Sequence, residues 1–402
     1  MSEDPMHPLA RDILERLWRA GDGADMRASQ RTPTVSLTHK QFPGYASLPT
    51  HADKERFHAE VAEAQRLGAI SIAWERRAGP GGQIQRLTLV SLPALAEFLG
   101  VRPTTAKVAD AEAALAPWRD TWSAADRIID AWRGGRSPRG VAVDAWPKVV
   151  EAFRVMDHCR EQNYADVSER RVSAQLFHDS KHIEALTTIL DLLTAPAFDQ
   201  SEARHAEATL AALGLLKHPS AFLVAGPVQI KTSLPGGGVE RSAVLTPYSG
   251  CSPRHVVGAE GSPAYLLSVE NLTIFHELAN GLAGPLRGVL VYTGGYPSPS
   301  QLRGYVALLR SFPDDMPVWH WGDTDLGGFR IASLLAEQAC RPLRLWNMAT
   351  YDEGGVGPAL GKGEVGRIAA LCERWAWPEE QQAVARHSAR IEQELQALKL
   401  PG

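Results

Sequence analysis

Cysteine is scarce in this chain, and what there is lies scattered: Cys159, Cys251, Cys340 and Cys372 in 402 residues. No Cys-x-x-Cys pair exists, which excludes zinc ribbons and dithiol redox motifs and predicts free thiols in a reducing compartment. No apolar run approaches the roughly 20 residues that a membrane span needs. The first residues, Met1-Ser2-Glu3-Asp4-Pro5, are acidic and lead into an amphipathic segment, unlike a signal peptide. Together these absences predict a cytoplasmic protein with no membrane contact. A strong charge of either sign is also missing. At a formal net charge of −4 the chain is no polycation, so any nucleic-acid contact must come from local patches. There is no Gly-x-Ser-x-Gly elbow. Residues 357–363 imitate a P-loop but have three residues between the first glycines, where the motif has four, and Gly363 where it has Ser or Thr. They read as a flexible loop. His178 and His182 have the i, i+4 spacing that zinc sites use, without the Glu that a metalloprotease sets beside the first His. They read as flanks of a DNA-facing helix.

What the chain does have is two apolar runs that end in carboxylates. Leu266-Leu267-Ser268-Val269 leads to Glu270-Asn271, and Pro317-Val318-Trp319-His320-Trp321-Gly322 leads to Asp323-Thr324-Asp325, then Leu326-Gly327-Gly328. Both read as buried strands. Side chains at i and i+2 of a strand share a face, so Asp323 and Asp325 are expected to project together. Ligands of open α/β sheets bind outside the carboxyl ends of the strands. Three carboxylates gathered there would repel one another, and a divalent cation removes the conflict. An all-oxygen donor set suits Mg²⁺ or Mn²⁺ and points to metal-assisted phosphoryl chemistry.

Periodicity gives the surroundings. Helices are predicted over residues 9–20, with Ile13, Leu14 and Leu17 inward, and over 52–67, with Phe57, Val61 and Leu67 as apolar markers and Gly68 as the stop. A hairpin follows over 70–74 and 84–90, turning at 78–82. Helices followed by a two-stranded wing spell a winged helix, a unit that binds DNA in some proteins and only other proteins in others. Residues 105–195 read as helical, interrupted by a basic loop at 133–140, with Trp118, Trp122, Trp132 and Trp146 as core anchors. Residues 168–177 and a helix capped by Ser180 suggest a second helix-turn-helix. A hairpin over 222–231 and 242–245 would be its wing. From residue 265 strands and helices alternate (strands at 265–270, 288–292, 317–321 and 342–346), which implies a parallel sheet covered by helices. Residues 364–400 read as polar and helical. The domains expected are 1–104, a winged-helix arm; 105–255, a helical DNA-binding domain with a winged helix; and 256–402, an α/β catalytic domain.

Glu270 and the Asp323/Asp325 pair, 53 residues on, resemble the metal-binding motif of the Toprim domain of topoisomerases, primases and some nucleases. The run from Asp323 to Ile331 is most similar to the topoisomerase VI A-subunit type, with Leu326 where that type has Pro. A closer resemblance, over roughly residues 105–350, is to JetD, the nuclease-subunit family of Wadjet plasmid-defence systems. It rests on Asp179-Ser180-Lys181, Glu270-Asn271-Leu272 and Gly294-Gly295-Tyr296-Pro297. That resemblance implies a homodimeric endodeoxyribonuclease using Mg²⁺ or Mn²⁺ on double-stranded, closed circular DNA. The DNA would be presented by an SMC-type condensin complex, JetABC. Glu270, Asp323 and Asp325 would be its catalytic and metal-binding residues. Arg170, Arg171, Lys181, His182 and Asn271 are the candidate DNA contacts, although a solvated helix face explains the two arginines nearly as well.

Two other readings stay open at this level. A topoisomerase-like transesterase would use a tyrosine, and Tyr164 is the nearest candidate by position. A partly buried tyrosine at a helix end is the plainer account of it, and water is the expected nucleophile. A non-catalytic DNA-binding adaptor would have no use for three intact carboxylates.

Overall fold

A computed structural model describes residues 6–75, 82–195, 198, 203–218, 220–350 and 357–402. Contacts divide the chain into two compact units, Met1–Phe153 with Leu192–Ala203, and Arg154–Asp191 with Arg204–Gly402. No helix among the described residues is long and apolar enough to cross a membrane. All four cysteines are free thiols, as their scatter predicts.

In the first unit the helix over Pro8–Met26 buries Ile13, Leu14 and Leu17 completely. The helix His51–Arg66 starts on Thr50, whose hydroxyl accepts from Asp53 N, and stops at Gly68, which has the positive φ of 73° that favours glycine. Its inward residues are Phe57, Val61 and Ala64, whereas Leu67 is 53% exposed and is no core marker. Strands Thr34–Ser36, Ile84–Leu89 and Ile70–Trp74 form an antiparallel sheet in that order. The hairpin is thus observed, and residues 78–81 of its turn lie outside the described residues. Further along, Thr104 donates from its N–H and its hydroxyl to Asp22, so the junction near residue 104 is tied to the first helix. Of the four tryptophans expected in the core only Trp132 is fully buried, with its indole N–H on Val141 O. The other three are half-buried, Trp118 stacked on Phe153.

The second unit holds the strand–helix alternation. Besides a short parallel pair, Val167–Ser168 with Leu215–Leu216, its strands are β1 (Phe222–Ala225), β2 (Gln229–Ser233), β3 (Val239–Ala243), β4 (Ser249–Cys251), β5 (Val256–Glu260), β6 (Leu266–Val269), β7 (Val289–Tyr292), β8 (Val318–Trp321) and β9 (Leu343–Leu345). Its main helices are α1 (Glu169–Phe177), α2 (His182–Thr194), α3 (Leu272–Ala279), α4 (Pro299–Leu309), α5 (Leu326–Gln338), α6 (Lys362–Trp375) and α7 (Pro378–His387). Six strands make one mixed sheet in the order β9-β8-β6-β7-β1-β4. Strands β9, β8, β6 and β7 are parallel, while β1 runs antiparallel to β7 and β4 antiparallel to β1. The expected all-parallel sheet therefore carries two antiparallel strands on one side. The first of them comes from the segment read as a wing, and the second follows that segment. Its first strand breaks at Gly226-Pro227: Gly226 has φ 124°, and a Cβ there would stand 2.3 Å from Gly288 O. The chain before the break joins the six-stranded sheet, and the chain after it forms β2, which pairs with β3 and β5 in a separate three-stranded sheet. β6 has all four residues buried and lies between two parallel neighbours, so it reads as a continuous apolar run.

Candidate metal centre

Register sets the site. Val269 of β6 is the partner of Trp321 of β8, so the two strands end level with each other. Each is followed by its functional residues. Glu270 donates its backbone N–H to Trp321 O (3.0 Å), and its Oε2 accepts the N–H of Asp323 (3.3 Å). Connections run from β6 through α3 to β7 on one side, and from β8 through α5 to β9 on the other. The crevice between β6 and β8 is therefore the switch point of the sheet, the place where open α/β sheets take ligands.

Asp323 and Asp325 do not project by strand pleat, as expected from their i, i+2 spacing, because β8 ends at Trp321. They belong to the turn into α5. Asp325 is the N-cap of that helix, its Oδ1 accepting from Gly328 N at 2.9 Å. Asp323 Oδ1 accepts from Gln393 N at 2.9 Å. Two glycines make the close packing possible. A Cβ on Gly328 would stand 2.1 Å from Asp323 O, and one on Gly322 would stand 2.8 Å from Glu270 Oε2.

Burial, then the neighbouring Asp323, pushes the Glu270 carboxyl up to about 8. Burial pushes Asp323 up to about 6, with Glu392, Asp325 and Glu394 adding repulsion. Carboxylates so destabilised in their charged form fit a hard divalent cation, which would neutralise them through oxygen donors alone.

The sequence reading missed one arm of this arrangement. Residues 364–400 are not helical throughout: α6 and α7 end by His387, and the chain then runs back across the carboxyl ends of β6 and β8. Ile391 O accepts from Thr324 N. Gln393, with no exposed surface, donates from its backbone to Asp323 and from Nε2 to Trp321 O (2.7 Å), and accepts from Asn271 N (2.7 Å). Trp321 Nε1 donates to Gln396 Oε1 at 2.7 Å. Oxygens of Asp323, Glu392 and Glu394 all lie within 4.8 Å of one another. No periodicity marks these residues in the sequence. The only available signal was two glutamates two apart in a polar stretch.

Residues 251–395 match the family model described as Wadjet protein JetD, C-terminal. This part of the chain belongs to the JetD family. The JetD match opens at the last residue of β4 and closes just beyond Glu394, so it holds the parallel strands and the returning segment together, and leaves β1 outside. No curated protein matches the chain.

The remaining sites predicted from the JetD-like sequence sit as follows. Asn271 caps α3, its Oδ1 accepting from Thr273 N and Ile274 N and its Nδ2 donating to Glu394, so its polar atoms are already engaged. Arg170, Arg171 and Lys181 are exposed, the arginines on the first turn of α1 and Lys181 in the link to α2. His182 opens α2 with its ring 4.4 Å from that of Phe177, and His178 ends α1 with φ 57°, so the two histidines do not share a helix as a zinc pair would. Ser180 is not the cap of α2. Ser173 takes that role from the preceding helix, its hydroxyl accepting from Ile183 N and donating to Asp179 O. Tyr164 is half-buried, with φ 49°, in the turn just after the helix Trp146–Glu161. The P-loop imitation is no free loop: Gly357 N donates to Arg390 O, and Ala359 bridges Ala389.

Proposed function

We propose that the chain is the nuclease component of a Wadjet anti-plasmid system, a Toprim-fold, metal-dependent endonuclease that cuts double-stranded circular DNA presented by an SMC-type condensin complex. The observation that carries the chemistry is the level ending of β6 and β8, which brings Glu270 against Asp323 at the switch point of the sheet. JetD family membership carries the system and the partner.

Glu270, Asp323 and Asp325 are the residues that would hold Mg²⁺ or Mn²⁺. When bound, the cation supplies charge neutralisation for the attacking and leaving oxygens of an in-line displacement. The protein's own part is positioning. Glu270, half-buried against Asp323, would ligate the cation or take the proton of an attacking water. Asp325, held as a helix cap, keeps one oxygen on Gly328 N. Asp323 is anchored by Gln393. Tyr164 is half-buried in the turn after a helix, as tyrosines that simply pack can be, which favours water as nucleophile. Arg170, Arg171 and Lys181 would grip backbone phosphates without base readout. One site cuts one strand, so a double-strand cut asks for a symmetric homodimer.

The test is to incubate the purified protein with supercoiled and linear DNA in Mg²⁺, Mn²⁺ or EDTA, with and without the partner complex, and to examine the products after denaturation. Metal-dependent cutting with free DNA ends is expected. Protein left covalently on the ends would replace water with tyrosine, and no cutting in any arm would sink the nuclease reading.

A further inference from the structure

We infer that Glu392 and Glu394, on the segment that returns across the strand ends, bind a divalent cation together with Asp323, and that Gln393 between them positions this arm. The inference rests on the metal-dependent reading above and adds ligands to it from a part of the chain that no Toprim motif includes.

The geometry is that of an arm built into the site. Gln393 is completely buried and spends its backbone N–H, its Nε2 and its Oε1 on Asp323, Trp321 and Asn271, that is, on the residues after β8, at the end of β8 and after β6. A glutamine that joins both strand ends in this way fixes its neighbours in the chain. Those neighbours are exposed, on the open side where a ligand can arrive. Glu394 is oriented by the Asn271 amide, which donates to its Oε1. Glu392 adds to the repulsion on both Glu270 and Asp323. Among the described residues no Lys or Arg forms an ion pair with any of the five carboxylates. Five acidic groups at one end of the sheet, with no basic ion-pair partner among the described residues, call for a cation from outside.

An independent observation lies on the floor of the site. His320 Nε2 is wholly buried and has no hydrogen-bond partner among the described residues, while Nδ1 meets Ser268 Oγ at 3.0 Å. The position of an added Cβ on Gly322 is 2.9 Å from that Nε2 and 2.8 Å from Glu270 Oε2. The unpartnered nitrogen and Glu270 Oε2 thus approach the same point beside Gly322. A buried polar atom left without a partner is costly in a protein interior, and a bound ion or water is one way to satisfy it.

The experiment titrates Mn²⁺ into the full-length protein, reading free Mn²⁺ by electron paramagnetic resonance and the melting temperature in parallel. The proteins compared are the wild type, Glu270→Gln, and the double variant Glu392→Gln with Glu394→Gln. The double variant is expected to lose a bound Mn²⁺ or at least tenfold in affinity, and most of the Mn²⁺-induced rise in melting temperature. Its metal-free melting temperature should stay level or rise, because like charges have been removed. Should it melt lower without metal, the two single variants are titrated instead, and each should bind Mn²⁺ more weakly than wild type. Unchanged Mn²⁺ binding by the variants beside normal binding by wild type overturns this inference and leaves the proposed function standing. No Mn²⁺ binding by wild type overturns both.

Discussion

At Glu270 the protein sets its own dependence on pH. The folded chain raises this carboxyl from its ordinary 4.5 to about 8, chiefly by burial. A folded value above the unfolded one means that the folded state holds more protons in between. Metal-free stability is therefore fully present below pH 4.5 and is lost as pH rises toward about 8. A tenfold change in proton affinity is worth about 1.4 kcal/mol, so the effect is on the order of a few kcal/mol. Melting in EDTA across that window should show a falling temperature for the wild type and a flatter profile for Glu270→Gln, which should also fail to cut DNA. A variant that cuts at full rate would remove Glu270 from the site. Tyr164→Phe should cut normally, and lost cutting with retained DNA binding would instead favour the tyrosine mechanism. At this scale the sequence showed where Glu270, Asp323 and Asp325 stand, just beyond two buried strands whose apolar runs announce them. It was silent on Glu392, Gln393 and Glu394. Their role depends on where the chain returns after two helices, and no local pattern encodes that return.

Elements show a similar division. The alternation of β6 to β9 with α3 to α5 was readable because buried parallel strands leave short apolar runs and amphipathic helices separate them. β1 was not assigned correctly, since a strand added antiparallel to the side of a sheet looks like half of a hairpin until its partner, β7, is known. The turn into α5 is the element most sensitive to change. Gly328→Ala would set a methyl 2.1 Å from Asp323 O, a backbone atom that cannot swing aside. A loss of about 1–3 kcal/mol is expected from such overpacking, together with lost cleavage, and urea unfolding checks it. A variant as stable and as active as wild type would mean that Asp323 can move without consequence. In the link between α1 and α2, Lys181→Ala should weaken DNA binding equally across sequences and lower the salt slope by about one, as removal of a single phosphate contact does. An unchanged slope would assign Lys181 to solvent.

For the whole molecule the separate core of residues 10–99 matters. It is distinct from the core beneath the six-stranded sheet, so an arm can be removed without emptying that second core. If the arm docks the partner, deleting residues 1–104 should impair partner-dependent cutting of circular DNA more than residual metal-dependent cutting. Both rates, measured side by side for full-length and shortened protein, decide it. Equal losses, or vigorous cutting of linear and circular DNA by the isolated full-length protein, would show that restraint does not come from a partner.

The span of chain that closes the crevice also sets a time. Glu270 is made about two-thirds of the way along the chain, and Gln396, which accepts from Trp321 Nε1, comes 126 residues later. At about 5–20 residues per second the interval is on the order of ten seconds. Throughout it the acidic crevice lacks its third wall. A nascent chain near the chromosome is thus a half-built tool, and the most hazardous chemistry it is proposed to perform becomes available only once its synthesis has gone past the returning segment.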